Sequence, residues 1–400
     1  MDNIKANTWN GGNRLKRRLV SIILLLLIST TSIPFKAYAD TDLNINAKSA
    51  ILMDVNTGAI IYKLNEHDRL APASITKIMT LLLGMEAVDS GRIKLTDKVM
   101  VSEHASKVKG STVFLQAGET QIVEDLFKAI AIRSANDASV ALAEHIAGSE
   151  DIFVKMMNEK AKDLGMENTK FHNASGMPND EHYISAYDVA LMSKELLKHE
   201  KVHPWLTTYM TEMKVGKNKS STQVMVNTNR LIKEYDGATG VKTGSTNEAG
   251  FCLSASAKRG NLELIAVVMG VNNSKLRFDE AKRMLDYGFA NYESITIGKK
   301  GDIIATLPVE KGKLKEVDLM LSQDSHILLP KGEKAELIKD IILPDVLNAP
   351  ILAGDEVGEL VISIDGKESH KVKIIAKTNV EKANLFNMLN KTIKNYLSIR

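Results

Sequence analysis

The most reactive pair of side chains that this 400-residue sequence places close together is Ser74 and Lys77. Apolar residues recur at helical spacing from Ser74 to Val88, which predicts a helix with both polar side chains on one face. A serine hydroxyl is a weak nucleophile until a base takes its proton, and an amine one helical turn away can reach it. The pair therefore raises the prospect of covalent catalysis by serine; by themselves, two such residues are more often a helix cap and a solvated lysine.

Lys77 could act as the base only if it were neutral when the reaction begins. A free lysine has a pKa of about 10.4, so it is charged at neutral pH. Burial and a second cation nearby both disfavour the charged form, and Lys242 could be that cation. The chemistry therefore requires that distant parts of the chain converge on one pocket, a point that the sequence leaves open.

A Ser-x-Asn group follows at residues 134–136. The hydroxyl of Ser134 could relay a proton to a leaving amine, and the amide of Asn136 could orient Lys77 and bond a substrate amide. Taken singly, such a group is most often a polar corner between helices. A catalytic role for it is therefore predicted only because the other polar groups occur in the same sequence.

A Lys-Thr-Gly group at residues 242–244 could bind the other end of a substrate. Lys242 could hold a carboxylate by charge and Thr243 by a hydroxyl hydrogen bond, while Gly244 would allow backbone and substrate to approach closely. The backbone N–H groups of Ser74 and Ser245 are candidates for an oxyanion hole. Taken singly, Lys-Thr-Gly is most often a turn.

The elements that carry these groups can be predicted from the periodicity of apolar residues. Residues 49–64 predict a β-hairpin, and residues 121–147 predict helices with a corner at the Ser-x-Asn group. Residues 251–257 and 261–270 predict an antiparallel strand pair, with the Lys-Thr-Gly group at a strand edge just before it. Helical patterns also cover residues 151–164, 186–199 and 279–291.

The first 39 residues are predicted to be an export signal. Basic residues precede an apolar run of about ten residues, shorter than the roughly 20 that a membrane span needs, and Ala37-Tyr38-Ala39 has the small-x-small pattern of a cleavage site. We therefore expect cleavage after Ala39 and a location at the outer face of the cytoplasmic membrane or in the cell wall. An uncleaved signal anchor is the alternative.

Removing that segment changes the charge balance. Residues 1–39 carry six basic side chains and one acidic one, a net of +5, whereas the full chain is +3, so the mature chain is near −2. Overall charge therefore gives no support for nucleic-acid binding. Cys252 is the single cysteine, which excludes an intrachain disulfide, and its apolar neighbours predict a buried core thiol.

The sequence changes character near Ser294, which predicts a catalytic domain over 40–293 and a small β-rich domain over 295–377. Short apolar runs alternate there with Gly, Asp and Lys turns, and Asp365-Gly366 is a hairpin signal. Residues 381–400 predict a basic amphipathic helix that lies in a membrane interface; docking of this helix on its own domain is the alternative.

Taken together and in this order, the three groups are a signature of serine acyl-transfer enzymes that bind penicillin. Over nearly the whole mature chain the sequence resembles the low-molecular-mass penicillin-binding proteins, specifically D-alanyl-D-alanine carboxypeptidases with a C-terminal β domain. The segments that carry the resemblance are Ala71–Lys77, Ser134–Ala138, His172–Pro178 and Asp236–Gly244. Ala135 stands where Gly is also common in that family.

The resemblance implies a β-lactamase/transpeptidase-like α+β domain, an antiparallel sheet flanked by helices, followed by a small all-β domain. It implies peptidoglycan pentapeptides ending in D-Ala-D-Ala as substrate, β-lactams as covalent inhibitors, and no cofactor or metal. An Asn-Arg pair often precedes the Lys-Thr-Gly strand in that family, so Arg230 either adds charge near the substrate carboxylate or is a surface arginine. The implied site residues are Ser74, Lys77, Ser134 and Asn136 for catalysis, and Lys242, Thr243, Gly244 and Ser245 for substrate binding.

Other activities fit the sequence less well. A class A-like β-lactamase needs a water activated by the Glu of a Glu-x-x-x-Asn segment, and neither Glu167 nor Glu181 has an Asn four positions on. A D,D-endopeptidase or transpeptidase would use the same site, so the motifs do not separate it. The intact polar groups disfavour a non-catalytic wall-binding protein, and the scattered histidines disfavour a metallopeptidase.

Overall fold

The computed structural model describes residues 43–383, with the exception of Lys334. The predicted export signal over 1–39 lies outside the described residues, as does residue range 384–400 of the predicted C-terminal helix. Residues 381–383 are described, and Lys382 forms a β-bridge with Gly312, so the prediction of helix at these three positions is wrong. Within the described part of the chain, no helix is long and apolar enough to cross a membrane.

The elements of the described residues follow one another along the chain as strands and helices of varied length, in no repeated order. The strands are β1 (Ser49–Asp54), β2 (Ile60–Leu64), β3 (Lys98–Met100), β4 (Thr120–Ile122), β5 (Met210–Val215), β6 (Ser221–Val226), β7 (Ala238–Thr246), β8 (Gly250–Arg259), β9 (Leu262–Val271), β10 (Tyr292–Gly298), β11 (Ile303–Glu310), β12 (Glu316–Leu321), β13 (Ser325–Pro330), β14 (Leu337–Ile342), β15 (Leu347–Asn348), β16 (Glu356–Ile364) and β17 (Lys367–Ala376). The α-helices are α1 (Lys77–Asp89), α2 (Glu103–Ser106), α3 (Val123–Lys128), α4 (Asn136–Ala147), α5 (Glu150–Asp163), α6 (Ala186–Leu196), α7 (His203–Thr207), α8 (Leu231–Glu234) and α9 (Ser274–Asn291).

An antiparallel five-stranded sheet in the order β2-β1-β9-β8-β7 forms the centre of the catalytic domain. Successive side chains of a strand point to opposite faces. Ile51 and Met53 therefore pack into one core with α1 and α6, whereas Leu52 packs into a second core with α9. The predicted sheet between helical layers is confirmed, as is the edge position of β7, the strand that carries Lys-Thr-Gly.

The predicted corner at residues 134–136 is also present. Helix α3 runs into a wide π-helical turn over Ala129–Arg133, Ser134 takes a left-handed backbone conformation with φ of 64°, and α4 begins at Asn136. A single left-handed residue changes the chain direction abruptly. The corner therefore places the polar side chains of Ser134 and Asn136 between two helical segments, where both are buried (5% and 4% exposed).

The C-terminal domain is all β, as predicted. It contains a six-stranded sheet in the order β14-β16-β17-β12-β11-β15 and a two-stranded sheet of β10 and β13, which share one apolar core. Asp365 and Gly366 join β16 to β17, and both have positive φ, 50° and 74°. Those values suit the tight hairpin turn that the Asp-Gly pair predicts.

Candidate active site

Ser74 lies on a short 3₁₀ turn, Ala73–Thr76, that leads directly into α1. Pro72 and Thr76 occupy the cap positions of the turn and of α1, so the helix-cap explanation for Ser74 is wrong. Lys77 is the first residue of α1, and its Nζ lies 3.0 Å from Ser74 Oγ. The predicted nucleophile and base are therefore in hydrogen-bonding contact.

The amine of Lys77 is fully buried and contacts two further oxygen atoms. Its Nζ lies 2.6 Å from Asn136 Oδ1 and 2.6 Å from the carbonyl oxygen of Ser175. A neutral amine has two hydrogens and one lone pair, while amide and carbonyl oxygens only accept hydrogen bonds. When Lys77 is neutral, these two oxygens take both N–H groups and leave the lone pair for the hydroxyl of Ser74.

Burial lowers the pKa of Lys77 well below its ordinary value, and the charge of Lys242 lowers it further. Burial and a nearby cation are the two conditions under which the sequence predicted that Lys77 could be neutral. The buried carboxyl of Asp137 acts in the opposite direction. That carboxyl is held by the backbone N–H groups of Val113 and Leu115, which donate to it at 3.2 and 3.0 Å.

Asn136 is held at both ends of its amide. Its Oδ1 faces Lys77, while its Nδ2 donates to the carbonyl oxygen of Lys109 at 2.6 Å and lies 3.4 Å from Met177 Sδ. The amide can therefore present only its oxygen to the lysine, which supports the predicted orienting role. Ser134 stands beside it at the left-handed corner.

The Lys-Thr-Gly group lies on β7, beside the turn that carries Ser74. Lys242 is buried, and its Nζ donates to the carbonyl oxygen of Thr243 at 3.0 Å. Thr243 Oγ1 donates to Thr228 Oγ1 at 2.7 Å. Burial, the larger cause, and the charge of Arg277 together lower the pKa of Lys242 to about 7.

These segments surround a cleft of about 450 Å³. Six of the eight predicted site residues line it, and the two lysines are buried behind that lining. The lining comprises Ser74, Gly110, Ser111, Ser134, Asn136, Ser175, Gly176, Met177, Pro178, Thr228, Thr243, Gly244, Ser245, Thr246, Asn247 and Arg277. The structure thus brings all the predicted segments together in one place.

Arg277 is a cleft residue that the sequence analysis missed. It lies in α9, is 8% exposed, and its Nη1 donates to the carbonyl oxygens of Gly244 at 3.1 Å and Cys252 at 3.4 Å. Arg230, in contrast, pairs with Glu234 at 2.9 Å with about half of its side chain exposed (52%), so it is the surface arginine of the two alternatives. Nothing in the local sequence distinguishes Arg277 from the other basic residues of its helix.

Cys252 takes no part in this chemistry. It is fully buried in β8, and burial raises its pKa to about 11, which keeps the thiol protonated. The prediction of a core thiol is confirmed.

Comparison with known proteins agrees with this arrangement. The D-alanyl-D-alanine carboxypeptidase family matches residues 36–273, and the family of the penicillin-binding protein 5 C-terminal domain matches residues 292–382. The chain belongs to the D-alanyl-D-alanine carboxypeptidase family. The D-alanyl-D-alanine carboxypeptidase DacF of Bacillus subtilis is 44% identical to this carboxypeptidase over 391 residues, which cover 96% of this chain and all of that protein.

Solved structures of related proteins share the fold. Penicillin-binding protein 5 from Haemophilus influenzae aligns with a TM-score of 0.68 at 34% identity, covering 84% of this carboxypeptidase and 98% of that chain. Penicillin-binding protein D2 from Listeria monocytogenes, in its ampicillin-bound form, aligns with a TM-score of 0.55 at 29% identity, covering 62% of this chain and 99% of that one. The fold and the family that the motifs predict are both confirmed.

Proposed function

We propose that this carboxypeptidase removes the terminal D-alanine from peptidoglycan stem pentapeptides ending in D-Ala-D-Ala, through an acyl-enzyme on Ser74. The observation that carries this assignment is the 3.0 Å contact between Ser74 Oγ and the fully buried amine of Lys77. Family membership supports the type of reaction, and this contact supports the choice of nucleophile and base.

In the acylation step, neutral Lys77 takes the hydroxyl proton of Ser74 while the serine oxygen attacks the carbonyl carbon of the penultimate D-alanine. A C–O bond forms, and the carbonyl oxygen becomes negatively charged. As the C–N bond to the terminal D-alanine breaks, Ser134 passes a proton from the lysine to the leaving nitrogen. D-Alanine departs with that proton, and Lys77 returns to its neutral state.

The negative oxygen would be stabilised by the backbone N–H groups of Ser74 and Ser245. Gly244 allows the backbone N–H of Ser245 to lie close to that of Ser74, because a Cβ at position 244 would lie only 3.1 Å from the backbone nitrogen of Ser74. A larger residue would push β7 away from the nucleophile. The glycine thus allows the adjacent amide to share an oxyanion hole with that of Ser74.

The terminal carboxylate of the substrate would bind at the other end of the cleft. Thr243 offers a hydroxyl group to this carboxylate. Arg277, in the lining of the cleft, and Lys242, buried behind that lining, supply positive charge. Because these groups recognise a carboxylate that follows the scissile bond, the arrangement suits a carboxypeptidase.

Hydrolysis of the acyl-enzyme by water completes the cycle. Among the described residues that line the cleft, none carries a carboxyl group that could activate water as the glutamate of a class A β-lactamase does. A β-lactam should therefore acylate Ser74 and remain attached, since the amine released by ring opening stays tethered to the acyl group, whereas D-alanine departs and leaves room for water. We infer that β-lactams are covalent inhibitors of this enzyme rather than substrates.

The proposed substrate places the enzyme outside the cytoplasm. The predicted signal over residues 1–39 would export it, and a C-terminal amphipathic helix within 381–400 would hold it on the membrane surface. Truncation after Val380 should move the exported protein from the membrane fraction to the soluble fraction. Unchanged fractionation would contradict the anchoring role.

Mass spectrometry provides the direct test of the proposed function. Incubation with a pentapeptide ending in D-Ala-D-Ala should release D-alanine, and incubation with penicillin should leave a stable adduct on the peptide that contains Ser74. Ser74→Ala should abolish both. Release of D-alanine by this variant would show that the nucleophile is another residue.

A further inference from the structure

We propose that Asn173 is a positioning residue that turns the carbonyl group of Ser175 onto the amine of Lys77. This inference rests on the proposed role of Lys77 as the base, and it extends the site to a residue that does not line the cleft. It concerns the loop from Asn173 to Met177, which supplies one of the three oxygen atoms around that amine.

Asn173 gathers the backbone of this loop around one atom. Its Oδ1 accepts hydrogen bonds from the backbone N–H groups of Gly176 at 2.7 Å, Met177 at 3.0 Å and Ser175 at 3.2 Å. Its Nδ2 donates to the carbonyl oxygen of Met177 at 2.9 Å. One side chain therefore sets the orientation of several consecutive peptide groups.

The shortest of these bonds determines where the carbonyl of Ser175 points. The N–H of Gly176 and the C=O of Ser175 belong to the same peptide group, which is planar and trans, so the two bonds point in opposite directions. With the N–H directed at Asn173 Oδ1, the carbonyl oxygen is directed away from it, and it accepts from Lys77 Nζ at 2.6 Å.

Gly176 makes this control necessary. It has a φ of 84°, and a Cβ there would lie 1.8 Å from the carbonyl oxygen of Ala73, so a glycine is needed for the loop to pack against the turn of Ser74. Glycine also permits many backbone conformations, including those that would rotate the preceding peptide group. The bonds from Asn173 select the one orientation that serves Lys77.

The loop and the residues that follow it are tied to α1 and to the 3₁₀ turn before α1 by bonds that do not involve Asn173 Oδ1. Thr80, about one turn after Lys77, donates through Oγ1 to the carbonyl oxygen of Ala174 at 2.6 Å. His182 Nε2 lies 3.0 Å from Thr76 Oγ1 on the other side. Loss of the Asn173 acceptor should therefore release the peptide group between residues 175 and 176 while the loop stays docked.

The test compares Asn173→Ala with Asn158→Ala. Asn158 is a matched control because it is half-buried and also bonds a backbone segment, with its Oδ1 accepting from the N–H of Phe171 at 2.9 Å. The peptide groups that Asn158 bonds do not contact Lys77, whereas the peptide group that Asn173 bonds does. Acylation by penicillin is followed in the full chain over a range of concentrations, which separates the limiting acylation rate from the half-saturating concentration. D-Alanine release from the pentapeptide is measured in parallel.

We expect Asn173→Ala to lower the limiting acylation rate roughly 10- to 100-fold, since a misplaced catalytic group costs that much, with a change below about threefold in the half-saturating concentration. Asn158→Ala should stay within about twofold of the parent. Asn173→Asp should recover most of the loss when each variant is measured at its own optimal pH, because a carboxylate accepts the same three N–H bonds, while its charge raises the pKa of Lys77 without moving the amine. A limiting rate within twofold of the parent in Asn173→Ala, or an equal loss in Asn158→Ala, would overturn the proposal.

Two further variants cover the case in which Asn173→Ala does not fold and separate the role of Asn173 from that of Ser74. If Asn173→Ala unfolds at the assay temperature, the test uses Asn173→Asp over a range of pH, and a limiting rate more than about tenfold below the parent at every pH counts against the proposal. Ser74→Ala separates the two levels of inference. Residual acylation in that variant would refute the proposed nucleophile, whereas an inactive Ser74→Ala together with an unaffected Asn173→Ala would refute only the role of Asn173.

Discussion

Two buried lysines lie in the candidate active site of this carboxypeptidase, and they are held in different ways. Burial is the largest cause that lowers the pKa of each. Lys77 Nζ contacts oxygen atoms from three segments of the chain, at residues 74, 136 and 175, whereas Lys242 Nζ donates to the carbonyl oxygen of the adjacent Thr243. The first lysine is oriented toward one hydroxyl group, and the second remains beside the position of a substrate carboxylate.

This difference indicates a division of labour in which Lys77 accepts the proton and Lys242 supplies positive charge. The charge of Lys242 lowers the pKa of Lys77. A substrate carboxylate bound at Thr243 would favour the charged form of Lys242. Substrate binding would thereby strengthen the positive charge that holds Lys77 neutral and ready to accept a proton.

The largest expected effect is that of removing the base. Lys77→Ala should lower the rate of Ser74 acylation by penicillin roughly 10³- to 10⁴-fold, near the upper end of what a positioned general base contributes. Stopped-flow or gel-based measurement of the adduct checks this, with thermal unfolding as a control for folding. A loss of less than tenfold would remove Lys77 from the mechanism.

A smaller effect is expected at the second lysine. Lys242→Gln should lower kcat/KM for the pentapeptide roughly 100-fold, because it removes a charge that acts through a preorganised site rather than the proton acceptor itself. Lys242→Arg should retain more activity than Lys242→Gln, since it keeps the charge. If Lys242→Gln were as damaging as Lys77→Ala, the two lysines would not have the separate roles described above.

The smallest effect is on pH dependence. The activity of the free enzyme should fall as pH decreases through the pKa of Lys77, because the base becomes protonated, and should fall as pH rises above about 7, where Lys242 loses its charge. The two lysines interact, so the limbs of the kcat/KM profile belong to the pair. Lys242→Arg should remove the alkaline limb; persistence of that limb would assign it to another group.

The sequence was sufficient to predict which polar groups meet at the cleft because each is a short local pattern. Ser74 and Lys77 are three residues apart, and Ser134 with Asn136 marks a helix corner that could be predicted from interrupted periodicity. The strand edge of Lys242 was likewise predictable from the strong apolar pattern of the strands that follow it.

The residues that were missed act through tertiary structure. Arg277 reaches the cleft only because α9 packs against the sheet, and its bond to the carbonyl of Gly244 joins positions 33 residues apart. Asn173 lies within a segment that carries the family resemblance, and its Asn-x-x-Gly spacing is a turn signal, but only the folded chain shows that the turn faces Lys77. The basicity of Lys77 could not be predicted either, since it depends on burial and on Lys242.

The central claim is that burial and the charge of Lys242 lower the pKa of Lys77, which allows its amine to act as the base. NMR of protein labelled at the lysine side-chain carbon Cε follows the protonation of each amine, and the Lys77 signal is identified by its absence in Lys77→Arg. We expect its titration midpoint to lie well below 10.4 and to rise in Lys242→Gln, since loss of a nearby positive charge favours protonation. A midpoint near the ordinary lysine value in the parent protein would contradict the proposed mechanism.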